Sequence, residues 1–319
     1  NSWRPRSVHQ RGFRQLKEWS KVGRFIRKKS YVTVTKIGKM KLYLGRCGVV
    51  IENILYFLIP SLIDGSYCAG TNAQYLKNLP WVGAKINKNK LRLIDHVFSS
   101  SLSPPVSFAD LGGVWNVDGA YTFYTLRNYD VKKAYLVDTN FTDVVLKNAK
   151  SNNNLELIGE NFGERAVAEK LGDTEAVFLF DVLLHQVKPD WNEVLEMYAK
   201  NCKYFLIYNQ QWTGSKETVR LLDLGRDEYF KNVPHDKYHP SYIALFEKMN
   251  EIHPDHNRKW KDIHNVWQWG ITDSALISVM EELGFKVVFN ENCGQFASLP
   301  NFEDHMFVFQ KIYFLLKLA

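Results

Sequence analysis

Residues 106–116 read VSFADLGGVWN. The run from Val106 to Leu111 is mostly apolar, is broken by Asp110, and ends in the pair Gly112 and Gly113. A short apolar run bounded by glycines predicts a buried strand, and the residues after it, through Tyr129, are expected to be helical. Glycines at a strand-to-helix turn let a ligand approach the backbone, beside the unpaired N–H groups of the helix start. Asp110 narrows the choice of ligand. A carboxylate at that point opposes the pyrophosphate of a dinucleotide and suits a cationic amino acid group. The GxGxxG turn of nicotinamide-binding proteins is also missing.

Working outward, KKAYLVD forms a second strand ending at Asp138, 28 positions after Asp110. A carboxylate at that strand end is placed to accept hydrogen bonds from both hydroxyls of a ribose. It equally suits the N-cap of a helix from Thr139 to Lys150, and the two roles are compatible. A third strand, NLELIG, precedes Asn161 and Phe162. A fourth, EAVFLFDVLL, carries Asp181 and leads to His185. Pro189 suits the first turn of the helix PDWNEVLEMYAK, and KYFLIYN is the fifth strand. Strand and helix thus alternate, which predicts a parallel sheet covered by helices. Thr272 and Asp273 start the helix DSALISVMEEL, Gly284 ends it, and FKVVFNEN with DHMFVFQKI reads as an antiparallel pair.

In this order VSFADLGG, YLVD, GENF and FLFDVLLHQ resemble the class I S-adenosylmethionine-dependent methyltransferases, over roughly residues 106–311. The resemblance implies a Rossmann-like α/β fold, a doubly wound, mostly parallel seven-stranded sheet with an antiparallel last strand. It implies S-adenosylmethionine as cofactor. Asp110, Gly112 and Gly113 would line its methionine part, Asp138 its ribose, and Asn161 and Phe162 its adenine, with Asp181 closing the pocket. Val114 and Asn116 stand where the family often has further glycines.

His185 would face the methyl donor, where a neutral imidazole takes a proton from a hydroxyl; capping or orienting the cofactor suits it equally. Asp181 is followed by Val182, Leu183 and Leu184 rather than by an NPPY-like string, which removes support from amide-nitrogen and adenine-nitrogen methylation. O-methylation of a small molecule, such as a sugar or secondary metabolite, is the leading expectation. RNA methylation and a non-catalytic methyltransferase-like scaffold are the alternatives.

The chain of 319 residues is 45% hydrophobic, enough for a full core. Its net charge of +7 is uneven, because residues 1–46 hold 14 Lys and Arg against the single acid Glu18. This basic arm, with Phe13, Trp19 and Phe25, suits phosphates or an anionic membrane surface, and a solvated tail or packed helix is the favoured reading. Residues 47–105 form an N-terminal cap and 106–319 the methyltransferase domain, with a lid insertion at 210–271. The apolar stretch Val49–Ile63 is interrupted by Glu52, Asn53 and Pro60 and is shorter than the roughly 20 residues that span a bilayer.

No secretory signal is visible, and a cytoplasmic protein is expected. Cys47, Cys68, Cys202 and Cys293 form no CxxC pair and are expected to be reduced structural thiols. His253 and His256 have a metal-like spacing with no third ligand, so no metal is assigned. His235 and His239 are alternative bases. Tyr229, Tyr238, Trp267 and Trp269 are candidates for an acceptor-facing wall, with most of them expected in the lid core.

Overall fold

The computed structural model describes residues 86–100 and 104–312, except 236, 239 and 298. The basic arm, most of the cap with its Val49–Ile63 run, and His239 lie outside the described residues.

In chain order the helices are α1 (Lys88–Ser100), α2 (Ala120–Asn128), α3 (Asp143–Ala149), α4 (Arg165–Leu171), α5 (Trp191–Ala199), α6 (Arg226–Asn232), α7 (Pro240–Glu247) and α8 (Asp273–Glu282). The strands are β1 (Ser107–Leu111), β2 (Lys133–Val137), β3 (Leu155–Ile158), β4 (Ala176–Phe180), β5 (Tyr204–Trp212), β6 (Val219–Arg220), β7 (Trp269–Gly270), β8 (Phe285–Gln295) and β9 (Phe302–Lys311). Seven strands form one sheet in the order β3-β2-β1-β4-β5-β9-β8. β1 to β5 run parallel, and β9 lies antiparallel between β5 and β8. This is the Rossmann-like, doubly wound sheet expected from the sequence.

Alternation along the strands sends side chains to two cores. Phe108, Phe178, Leu206 and Val308 face α1 and α2, while Ala109, Val177, Phe205 and Phe307 face α4, α5 and α8. Every residue of β4 and β5 is buried, as strands covered on both faces must be. Helix α1, from the segment read as cap, contributes Leu91, Ile94, Val97 and Phe98 to the same core as β1.

The local starts follow their capping chemistry. Thr142 caps α3 by accepting the Val145 N–H, Asp190 and Glu193 form a capping box on α5, and Thr272 caps α8 through the Ala275 N–H. Three local expectations are corrected. Thr142, not Asp138, is the N-cap of α3, because Asp138 turns its carboxylate toward the first loop. Pro189 stands one residue before the cap of α5 rather than in its first turn, and its peptide bond to Lys188 is cis. Helix α2 begins at Ala120, after a loop of eight residues, because Gly119 at φ 71° sets its start.

The insertion is built rather than irregular. β6 pairs with β7, and Trp212, Leu221, Tyr229, Leu245 and Trp267 form a core of their own with Phe302. Tyr229 and Trp267 are buried in this core, while Tyr238 is exposed. No helix among the described residues is long and apolar enough to cross a membrane.

Candidate functional site

β1 and β4 are neighbours, but the chain leaves β1 toward β2 on one side and β4 toward β5 on the other. In open α/β sheets the crevice at the carboxyl ends of such a pair is where ligands bind. Asp110, Gly112 and Gly113, Asp138, Asn161 and Phe162, and Asp181 with His185 all fall at or just beyond the carboxyl ends of β1, β2, β3 and β4 in turn.

Asp110 is 1% exposed. Its Oδ2 accepts a 2.7 Å hydrogen bond from the Thr122 hydroxyl, and the Thr122 backbone N–H also serves the carboxylate, in the first turn of α2. The protein's own carboxylate thus occupies the anion-binding helix start. Burial pushes its pKa up to about 6, with Thr122 opposing and Asp138 adding to the rise.

The two glycines have separate physical reasons. Gly112 lies at φ +74°, and a Cβ there would stand 2.8 Å from Val182 Cγ1 and 3.3 Å from the Phe162 ring. A Cβ on Gly113 would lie 2.4 Å from Asp110 Oδ2, so the turn is folded directly over the buried carboxylate. Val114 and Asn116, which follow in this loop without being glycine, behave differently. Asn116 adopts φ 60°, a left-handed conformation that Asn tolerates better than most residues. Val114 is buried, and its N–H donates to Asp138 Oδ2 at 3.1 Å. Asp138 is partly buried, and burial raises its pKa.

Asn161 turns its Oδ1 back to the Gly163 N–H at 2.9 Å. Phe162 packs into the core against the Gly112 turn, and its carbonyl accepts from the Tyr198 hydroxyl at 2.6 Å. Trp115, which sequence reasoning did not single out, is 79% exposed on the loop between β1 and α2.

At the end of β4, Asp181 sits at φ 60° with its N–H bonded to the Tyr208 carbonyl. Its Oδ2 is paired with Lys90 of α1, and its Oδ1 accepts from Gln210 Nε2 at 2.9 Å. The same amide also donates to Asp304 Oδ1 at 2.8 Å. Lys90 lies within 6 Å of the ring centres of Tyr121, Phe180 and Tyr208. Burial opposes its charge, but Asp181, Tyr121 and Asp304 more than offset this and raise its pKa. Asp304 is pushed up to about 6 by burial and by Asp181. Lys90, Gln210 and Asp304 carried no motif, because they come from α1, β5 and β9 and meet Asp181 only in three dimensions.

His185 ends the 3₁₀ turn Leu183–His185 that follows β4. Its Nδ1 lies 2.9 Å from the Val266 carbonyl of the insertion, and a carbonyl only accepts, so Nδ1 carries the proton and Nε2 the lone pair. Burial lowers its pKa, which keeps the ring neutral near pH 7. The insertion grips this turn twice more, through Gln268 N–H to the Leu184 carbonyl and Trp269 Nε1 to the Gln186 carbonyl. Among the described residues, His235 stacks on Tyr242, His253 lies tilted against Trp260, and His264 bonds to the Val187 carbonyl and adds to the lowering of the His185 pKa. A separate open cleft of about 310 Å³, lined by Arg92, Asp95, His96, Ser99 and Phe289, shares no residue with this constellation.

Fold and site together define a doubly wound α/β protein whose first turn is built around an internal carboxylate. No protein-family model matches the chain, and no curated protein matches it. Among solved structures it is similar to the magnesium protoporphyrin IX methyltransferase of Synechocystis PCC 6803 with bound S-adenosylmethionine, at 7% identity over 70% of this chain and 79% of that one, with a TM-score of 0.41. It is similar to the 1,6-didemethyltoxoflavin-N1-methyltransferase of Burkholderia thailandensis, at 11% identity over 70% and 79% of the two chains, TM-score 0.43. It is also similar to a small RNA methyltransferase, at 14% identity over 71% of this chain and 25% of that one, TM-score 0.44. At these levels the likeness assigns no residue a role.

Proposed function

We propose that this chain binds S-adenosylmethionine and transfers its methyl group to a hydroxyl of a small molecule. The observation that carries the reading is Asp110, buried under the Gly112–Gly113 turn and bonded to the start of α2. A dinucleotide pyrophosphate would meet that charge at close range, whereas the ammonium of an amino acid is attracted by it. Asp138, held at the rim of the crevice by Val114, presents a carboxylate to a ribose.

The cofactor supplies an electrophilic methyl group on a sulfonium, so the residues have mainly to align, desolvate and move one proton. The Gly112 and Gly113 backbone takes the amino acid end, with Asp110 acting through the turn. Trp115, exposed on the loop after the glycines, offers apolar surface toward the base, which Asn161 and Phe162 would flank. His185, its Nδ1–H fixed by Val266, accepts the acceptor's hydroxyl proton at Nε2. RNA as the acceptor is supported by the charge of residues 1–46, and would show as salt-dependent RNA affinity.

Calorimetric titration with S-adenosylmethionine and S-adenosylhomocysteine, with NADH as control, tests the reading directly. Both nucleosides are expected to bind and NADH is not. Asp138→Ala should weaken both by on the order of 1.5–3 kcal/mol, the cost of removing a hydrogen-bonded charged acceptor. Unchanged affinity in that variant would remove the ribose role. A screen of hydroxylated acceptors with methyl-labelled cofactor then tests transfer, and His185→Gln should lower turnover roughly 10²- to 10⁴-fold at unchanged cofactor affinity.

A further inference from the structure

We infer that Lys90 of α1 is the positioning residue of Asp181, the strand-end carboxylate that the methyltransferase reading sets at the methyl-donor end of the crevice. This rests on the methyltransferase reading and deepens it at the acceptor end.

Three observations place Asp181. The next residue, Val182, packs so closely on Gly112 that a Cβ there would be 2.8 Å away, so the end of β4 lies against the glycine turn. His185, four residues on, feels the Asp181 charge. The Asp181 side chain is 41% exposed although both of its oxygens are already engaged, so it has an open side. Its left-handed backbone is an uncommon conformation for a residue with a side chain, and such strain gathers at functional sites.

Lys90 differs in kind. Its side chain is 7% exposed and enclosed by the rings of Tyr121, Phe180 and Tyr208, so it has no open side toward a ligand. It fixes one carboxylate oxygen of Asp181, and Gln210, itself held by Asp304, fixes the other. The four groups come from α1, β4, β5 and β9. A carboxylate clamped on both oxygens has one orientation, and its remaining lone pairs suit a donor such as an acceptor's hydroxyl.

The probe is sinefungin, an analogue of the cofactor in which a carbon bearing an ammonium replaces the methylated sulfonium. S-adenosylhomocysteine, which has nothing at that point, is the reference. The wild-type chain should bind sinefungin roughly tenfold or more tightly than the reference, because a charge-assisted hydrogen bond to Asp181 is added. Asp181→Asn should bring the ratio close to one and leave reference affinity unchanged. Lys90→Met should lower the ratio several-fold, and Lys90→Arg should restore most of it.

A ratio unaltered by Asp181→Asn would overturn the placement of Asp181. A ratio that rises in Lys90→Met would overturn positioning, since it would mean that Lys90 acts only by neutralising the carboxylate. Intact reference affinity reports that a variant is folded. If Lys90→Met does not fold, Lys90→Gln, which keeps an N–H donor without the charge, takes its place and should retain most of the ratio; its loss would overturn positioning. Failure of both nucleosides to bind the wild-type chain would overturn the methyltransferase reading together with this inference.

Discussion

The Gly113 position couples backbone shape to charge. Adding one methyl group would place a carbon 2.4 Å from the Asp110 carboxylate, which has no room to retreat at 1% exposure. Gly113→Ala should therefore destabilise the fold by roughly 1–3 kcal/mol, as overpacking does, and also abolish cofactor binding. Urea unfolding and calorimetry on one sample measure both, and a variant of normal stability and affinity would refute the packing argument.

Asp110 also has a pH signature. Its folded pKa of about 6 lies above the ordinary value of 3.8, so the native state keeps a proton that the unfolded chain releases. Stability from this group is therefore lost as pH rises from about 4 to about 6, by about 3 kcal/mol at most. Asp110→Asn should remove that slope. Urea melts at about pH 4.5 and pH 7.5 compare the two proteins, and parallel slopes would exclude an elevated pKa for this carboxyl.

Among the elements, α8 and β9 are joined by an ion pair. His305 Nδ1 lies 2.8 Å from Asp273, the first residue of α8, and Nε2 lies 3.5 Å from Glu303. Burial lowers the His305 pKa, but hydrogen bonding and charge from Asp273 and Glu303 outweigh it, and the net shift is upward. A raised pKa gives stability that is fully present below about pH 6.5 and is lost as pH rises through the folded value. His305→Gln should thus cost roughly 1–2 kcal/mol at about pH 5.5 and much less at about pH 8.5, as read from thermal melts. An equal loss at both would argue for packing alone.

The insertion is the second separable element. Trp267 anchors its core, and Trp267→Ala should cost about 3–5 kcal/mol. Hydrogen exchange should show lost protection first in residues 219–270, and then at the His185 turn, which Val266, Gln268 and Trp269 hold in place. Loss confined to the sheet would contradict this coupling.

For the whole molecule, ligand linkage gives the broadest test. S-adenosylhomocysteine at 100 times its dissociation constant should stabilise the native state by about 2.7 kcal/mol. That corresponds to a rise in Tm of roughly 4–6 °C, and NADH should leave Tm unchanged. Equal shifts from the two ligands would exclude selection by Asp110.

The sequence by itself determined the succession of β1 to β5 with α2, α3 and α5, and of α8, β8 and β9, because the apolar runs and capping residues that specify them are local, while α1, α4 and the elements of the insertion were not read from it. It also determined the strand-end positions of Asp110, Asp138, Asn161 and Asp181, since a parallel α/β sheet brings successive carboxyl ends to one edge. The start of α2, the cap of α3 and the role of Pro189 were misread, because neighbouring residues compete for such ends and tertiary contacts choose among them.

Only the tertiary structure decided that Asn116 takes a left-handed conformation and that Val114 lends its N–H to Asp138. It alone brought Lys90 to Asp181 across 91 positions and Gln210 to Asp304 across 94. No periodicity or spacing encodes such pairs. They arise when helices and strands, each folded by its own pattern, pack against the same end of the sheet and leave buried charges that must find partners.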